Sequence, residues 1–447
     1  MLLTLLTTAA LASPSSSAPA TPPSTTTITT PSHPLQGVDA TGTGGDVDGD
    51  DDSVTSPQDL ILDAGLGRGV SVKAEDGSFE FQARARIQLR AQATADDDAD
   101  VDEAGLRPEF FVRRARLVFG GRVLRDLFQW QVQLGLSQND VEPDLPVVVR
   151  DAYITWNAPL DLGVRVGQMK VPFDRQRLTS SSAQQFAERS RMVNELNLDR
   201  DIGVQLIHTG LVDDKLAVQL GVFGGDGRNR PTPTPTLLSV ARVQLQPFGA
   251  FDDLVEGDLG RTPSPKLAIA LAGAFNADST RVRSTHGTQL IEPRDADGDG
   301  TTDVGVGIDY AHATADVLFK WRGLSAFASG IARVATDDGR FDGDSNDDEA
   351  AIARSAAGVV AQVGYLVVDG LELAARGAVT VPLDPAAWGG PDNAIDLDER
   401  GAEWEATVGS TFAFAGHNLK LQLDGGLVGD DSERPDVVAR SQLQLYF

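Results

Sequence analysis

The sequence predicts an all-β fold: a transmembrane antiparallel β-barrel of about sixteen strands, with a disordered amino-terminal segment ahead of it. Three observations carry this expectation. Short segments from about Phe79 to the end alternate apolar and polar residues with period two. The gaps between them alternate in length. The composition, 41% hydrophobic over 447 residues with a mean hydropathy of -0.16, is too polar for a bundle of membrane helices.

Taken in order, Met1 to Leu11 is a short apolar run, and Ala10-Leu11-Ala12 has the small-x-small pattern of a secretory cleavage site. Residues 1–12 are therefore read as a signal peptide, without the usual Lys or Arg ahead of the apolar run. Residues 13–59 are rich in Pro, Ser and Thr and then in Asp and Gly. They hold too few large apolar side chains to offset the entropy of ordering, and are read as a disordered tether. Residues 60–447 form the barrel. The absence of Cys rules out disulfides and thiolate metal sites.

The first strand, 79–93, sets Phe79, Phe81, Ala83, Ala85, Ile87, Leu89 and Ala91 against Glu80, Gln82, Arg84, Arg86, Gln88, Arg90 and Gln92. Strands follow near 109–122, 127–136, 147–157, 163–170, 202–210, 215–223, 237–247, 265–275, 304–321, 323–335, 353–368, 370–381, 401–415, 417–428 and 436–447. Most suit a tilted span of roughly 9 to 11 residues, and an even count returns both termini to one side. Gaps after odd strands are long or medium, and most after even strands are short; the gap between Pro247 and Lys266 breaks this rule, as a misplaced register or a missed strand would. Trp156, Trp321, Trp404 and Tyr446 lie near strand ends, where rings can mark a headgroup belt or simply pack.

The stretches Phe110 to Val123, Val149 to Trp156, Val166 to Ser181 and Phe186 to Leu206 resemble the phosphate-selective porin family, the O and P type outer-membrane porins. The chain also resembles bacterial outer-membrane barrels in ending on Phe447. The resemblance implies a sixteen-stranded, trimeric channel for anions in the outer membrane of a Gram-negative bacterium, with arginines and lysines lining the passage.

The gap at 171–201 is the third long outer gap and has no acidic run. It carries Arg175, Arg177, Arg189, Arg191 and Arg200, with Lys170 at its edge, and Ser182 with Gln185 could cap a short helix through Leu196. By resemblance, this is the constriction loop; the alternative is a surface helix whose charges pair with one another in solvent. If apolar positions face lipid, the lumen receives Arg84, Arg86, Arg90, Arg114 and Arg116 from the first two strands. A guanidinium suits phosphate through its fixed fork of donors. The same arginines could instead form a ladder with glutamates across neighbouring strands, and on these two strands the ladder is favoured. The candidate anion-lining residues are thus Arg84, Arg86, Arg90, Arg114, Arg116, Lys170, Arg175, Arg177, Arg189 and Arg191.

A net charge of -27 is unusual for an anion channel, but the acids cluster in predicted outer gaps. There they would face divalent cations and lipopolysaccharide while repelling anions over roughly 8 to 10 Å. Asp295, Asp297, Asp299 and Asp303 match calcium-loop spacing, though Val306 occupies the bidentate position; only weak calcium binding is expected, and no other cofactor. The five histidines are isolated, no Gly-x-Ser-x-Gly elbow occurs, and the glycines at 65, 67 and 69 precede a strand, so no helix start is there to hold a phosphate.

The expectation is a porin, not an enzyme: a passive outer-membrane channel for small solutes that leans toward anions, with phosphate as the candidate. Expected partners are outer-membrane lipid, lipopolysaccharide, small anions and two further copies in a homotrimer, with no nucleic acid. The alternative is a secreted or surface-bound β-rich adhesin or calcium-dependent binding module.

Overall fold

The computed structural model describes 60–95, 106–141, 146–230, 236–251, 254–286, 307–336, 354–383, 402–430 and 434–447, together with the backbone of 26–28. The signal-peptide stretch and nearly all of the tether lie outside these residues.

Period-two patterning yields sixteen barrel strands. They are β4 (Phe79–Ala95), β5 (Leu106–Val123), β6 (Phe128–Gly135), β7 (Val149–Ala158), β8 (Leu162–Lys170), β9 (Arg200–Gly210), β10 (Leu216–Phe223) and β11 (Leu237–Leu245). The second half comprises β12 (Lys266–Ser279), β13 (Ile308–Trp321), β14 (Leu324–Ala335), β15 (Ala356–Val368), β16 (Leu371–Pro382), β17 (Glu403–His417), β18 (Leu419–Gly429) and β19 (Asp436–Tyr446). Each pairs antiparallel with its sequence neighbour. The barrel closes where β19 meets β4, with Leu443 opposite Leu89 and Tyr446 opposite Arg86.

Three short strands precede the barrel: β1 (Thr26–Ile28), β2 (Leu60–Gly65) and β3 (Gly69–Ala74). β3 adds to the start of β4 just below the end of β19. The turn between β2 and β3 holds Gly67 and Gly69 at φ of +75° and +69°, which explains the glycine run as hairpin geometry.

The faces follow the sequence. Leu89 and Leu443 are 47% and 44% exposed on the outside, whereas Gln442 and Gln444 are fully buried inside. Such an outward apolar band is what a lipid-facing barrel requires. Trp156 and Trp321 are also exposed, but Tyr446 lines the lumen beneath Arg86, 5.9 Å from the guanidinium to the ring centre, and does not belong to a headgroup belt.

Two features were not anticipated. The irregular gap near 246–265 hides no strand among its described residues. It folds into the barrel instead, burying Glu256 and Asp258. The lumen is also not uniformly polar. Phe327, Ile331 and Val360 point inward and form an apolar cluster with Met192, Val193, Leu196 and Leu198, against which Phe251 and Leu254 pack.

Candidate functional site: an arginine-lined passage beside an inward-folded loop

The loop joining β8 to β9 turns into the lumen as soon as it leaves the wall. Its neck is closed by the Val171 N–H donating to Asp199 O at 3.0 Å. Helix α1 (Arg175–Leu178) is capped by Asp174, whose side chain accepts from Arg177 N at 2.9 Å. Helix α2 (Arg191–Leu196) is capped by Ser190, not Ser182. Ser182 lies in an irregular strip instead, its hydroxyl 2.8 Å from that of Ser180.

That strip is held to the far wall through its own backbone. Lys420 donates to Gln184 O at 2.7 Å, Thr411 to Gln185 O at 3.0 Å, Gln444 to Ser182 O at 3.0 Å and Gln88 to Ser181 O at 3.1 Å. Exposed carbonyls in a closed lumen need donors, and inward-facing glutamines supply them. Missing side chains make room: an added Cβ on Gly364 would lie 2.0 Å from Gln185 Nε2, and one on Gly409 would lie 3.0 Å from the Phe186 ring. The apolar face of α2 adds burial worth roughly 1.5 to 3 kcal/mol per large side chain. The loop therefore covers the β11–β19 side and leaves a passage against β4–β10.

This passage is a cavity of about 590 Å³, and twelve cationic side chains and four carboxylates line it among the described residues. Of the predicted set, Arg84, Arg86, Arg114, Arg116, Lys170, Arg177 and Arg189 line it. The other three serve elsewhere. Arg90 does not itself line the passage but bonds its carboxylate Glu188 at 2.9 Å, Arg175 is buried against Asp316 and anchors α1 to β13, and Arg191 is half-exposed near Glu403 at 3.8 Å.

The expected cross-strand ladder is replaced by pairing with loop carboxylates. A β-bulge at Arg113, where Gln88 pairs with Arg114 and Leu89 with Val112, turns two successive arginines inward. Arg113 and Arg114 both reach Glu188, at 2.8 and 3.0 Å. Burial raises the Glu188 pKa, but Arg114, Arg113 and Arg90 outweigh it and hold the carboxyl well below its usual range. Asp140, in the β6–β7 connection, accepts from Arg116 and Arg150; burial again opposes, yet these partners lower it to about 2. Asp199 is held low in the same way by Arg177, Arg200 and Arg150. Sequence reasoning missed Arg113 because strict alternation places it outside, and missed the role of Glu188 because nothing local joins it to three arginines.

Five lining cations make no ion pair among the described residues. Arg86 donates to Ser180 Oγ at 3.2 Å. Arg165 donates to Thr155 Oγ1 at 2.9 Å and lies 4.3 Å over the Tyr153 ring. Lys170 donates to Leu178 O at 2.7 Å, and Arg189 to the carbonyls of Gln176 and Thr179 at 2.9 Å each. Arg84 completes the group, its Nε without a partner. The calcium candidates Asp295, Asp297, Asp299 and Asp303 lie outside the described residues.

Residues 81–244 match the family model for phosphate-selective porin O and P. This is the family recognised in the sequence, and the matched stretch holds the strands that line the passage and the inward loop. The porin fold is shared with an anion-selective porin from Comamonas acidovorans, 11% identical over 83% of this chain and 100% of that one, with a TM-score of 0.50. It is shared also with the high-pH structure of OprB from Pseudomonas putida, 11% identical over 83% of this chain and 95% of that one, with a TM-score of 0.51. No curated protein matches the chain. The porin family match, together with the porin fold, supports an outer-membrane channel.

Proposed function

We infer that the chain is a passive diffusion channel of the Gram-negative outer membrane that prefers small anions, with phosphate the candidate solute. One observation carries this reading: Arg84, Arg86, Arg165, Lys170 and Arg189 line the passage without a paired carboxylate among the described residues. Charge close to a narrow, water-filled path acts on a permeating ion more strongly than charge at the outer rim, which salt screens within roughly 8 to 10 Å. The net -27 is concentrated in acidic runs such as 96–103, 295–303 and 337–349, which supply none of the described residues lining the passage. The family resemblance supports a homotrimer. Zero-current potentials in planar bilayers under a potassium chloride gradient, repeated with phosphate, test the reading: the expected sign is that of an anion-preferring pore.

A further inference from the structure

The wall of the passage is richer in neutral hydrogen-bonding groups than a path for a bare inorganic ion requires. On three adjacent strands Tyr153, Arg165 and Gln205 stand together: Arg165 lies directly opposite Gln205 in the β8–β9 register and over the Tyr153 ring at 4.3 Å. Gly167, opposite Tyr153, has φ of +128°, and a side chain there would meet the Ala152–Tyr153 backbone, so the two strands approach closely at this point. Gln205 is 97% buried, since only 3% of it is exposed, and its Oε1 has no protein partner; the Oε1 of Gln219, on the adjacent strand β10, is also unpaired. An amide acceptor left unpaired in a lumen wall costs free energy until a donor reaches it. Both glutamines line the passage, and a half-turn about the soft terminal torsion of either exchanges its amide oxygen and nitrogen. Arg165, though directly opposite Gln205, turns its Nε to Thr155 and its face to the Tyr153 ring and makes no hydrogen bond to the Gln205 oxygen, which leaves its two terminal nitrogens for an anion.

We propose that the passage contains a subsite for an organic anion that also carries hydroxyl groups, its charge held by Arg84, Arg86 and Arg165 and its hydroxyls donating to Gln205 and Gln219. Inorganic phosphate bears few such donors and fills little of a cavity of about 590 Å³, a volume within the range that encloses whole small molecules. The flat Tyr153–Arg165 stack gives a ring-shaped polyol a face to lie on. This inference rests on the anion-channel reading above and names the class of solute that it favours.

The test is block of chloride current through the full-length channel in a planar bilayer. Glucose 6-phosphate, gluconate and inorganic phosphate are compared at matched charge. Glucose 6-phosphate is expected to block at a concentration roughly tenfold lower than inorganic phosphate. In Gln205→Met, and separately in Gln219→Met, that ratio falls by roughly threefold or more, the order expected for one lost neutral hydrogen bond. The ratio is taken within each variant, so a change in overall conductance does not enter, and two positions guard against one failing to assemble. Gluconate blocking as well as glucose 6-phosphate places the recognition in the hydroxyls with either head group, whereas weak gluconate block assigns the head to phosphate; both keep the subsite. Equal block by glucose 6-phosphate and inorganic phosphate in the unaltered channel, or a ratio unmoved in both variants, overturns it. A cation-preferring zero-current potential instead overturns the anion reading itself, so the two failures are distinct.

Discussion

The backbone N–H of Gln185 donates to Glu256 Oε2 at 2.9 Å, joining a loop that enters the barrel from one end to a segment that enters from the other. Gln362 donates to the same oxygen at 3.1 Å, and the Gln185 side chain donates to Glu372 at 2.7 Å. The position of the constricting loop is thus braced from the short-turn side. Glu256→Ala leaves two buried donors unpaired, a loss of about 1 to 3 kcal/mol. We expect noisier open-channel current and faster amide exchange over residues 180–189, measured by recording and by hydrogen exchange. Unchanged traces and exchange would show that the brace is idle.

Glu188 holds three guanidiniums, so Glu188→Gln should raise anion preference while loosening the loop. Breaking a buried pair costs about 3 to 5 kcal/mol, and the partial exposure of Glu188 puts the expected loss at the low end. Zero-current potential measures the change in preference, and thermal unfolding in detergent measures the loss of stability.

The pH dependence follows from the same carboxylates. Glu188, Asp199 and Asp140 all have folded pKa values below the unfolded carboxyl range, Asp140 at about 2. Their contribution is complete above a pH of roughly 4 to 4.5 and is lost as pH falls from there toward the folded values. The loop should stay docked at pH 5 and release only in stronger acid, seen as a rise in conductance. A conductance step between pH 5 and pH 7 would contradict the assignment.

Gly364 gives the loop its seat. Gly364→Ala places a Cβ 2.0 Å from Gln185 Nε2 and 3.0 Å from Glu372 Oε1, while Gly425→Ala meets only Val438 O at 3.7 Å. The first should displace the loop tip and enlarge conductance, and the second should leave it as it is.

On the outer face, Leu89→Arg should cost roughly 2 to 4 kcal/mol if the position lies near the bilayer midplane. Urea titration of the refolded protein in vesicles would measure it, and a cost near zero would argue against a lipid-facing Leu89.

The wall was legible because burial on one face and lipid on the other leave a period of two that local sequence records. Phe79 to Ala93 and Val437 to Phe447 show it without help from the rest of the chain. The interior was less so. Arg113 faces inward only because a bulge shifts the register there, and alternation contains no sign of a bulge. The inward course of 246–265 depends on Glu256 meeting Gln185, some seventy residues away in sequence. The inward loop was recognised by resemblance, but its seat was not, although Gln422, Gln442 and Gln444 on the lumen face of the last two strands were a visible hint: uncharged donors repeated on one inward face suit backbone carbonyls. Arg90 was grouped with the passage by its face in the alternation and Arg175 and Arg191 by their place in the gap at 171–201, and neither distinguishes a lining cation from one that anchors a loop.

The most direct test of the account is the zero-current potential of Arg84→Glu and Arg86→Glu beside the unaltered channel and the acidic-gap variant Asp344→Asn. Reversing one charge changes the local charge by two units, and a single unit pair at about 4 Å is worth roughly 4 kcal/mol at an effective dielectric near 20, so the shift should be measurable. The account predicts an anion-preferring parent channel, a displacement toward cations in both arginine variants, and no displacement for Asp344→Asn. A displacement by Asp344→Asn with none from Arg84→Glu or Arg86→Glu would contradict it, and would place control of permeation in the acidic outer gaps.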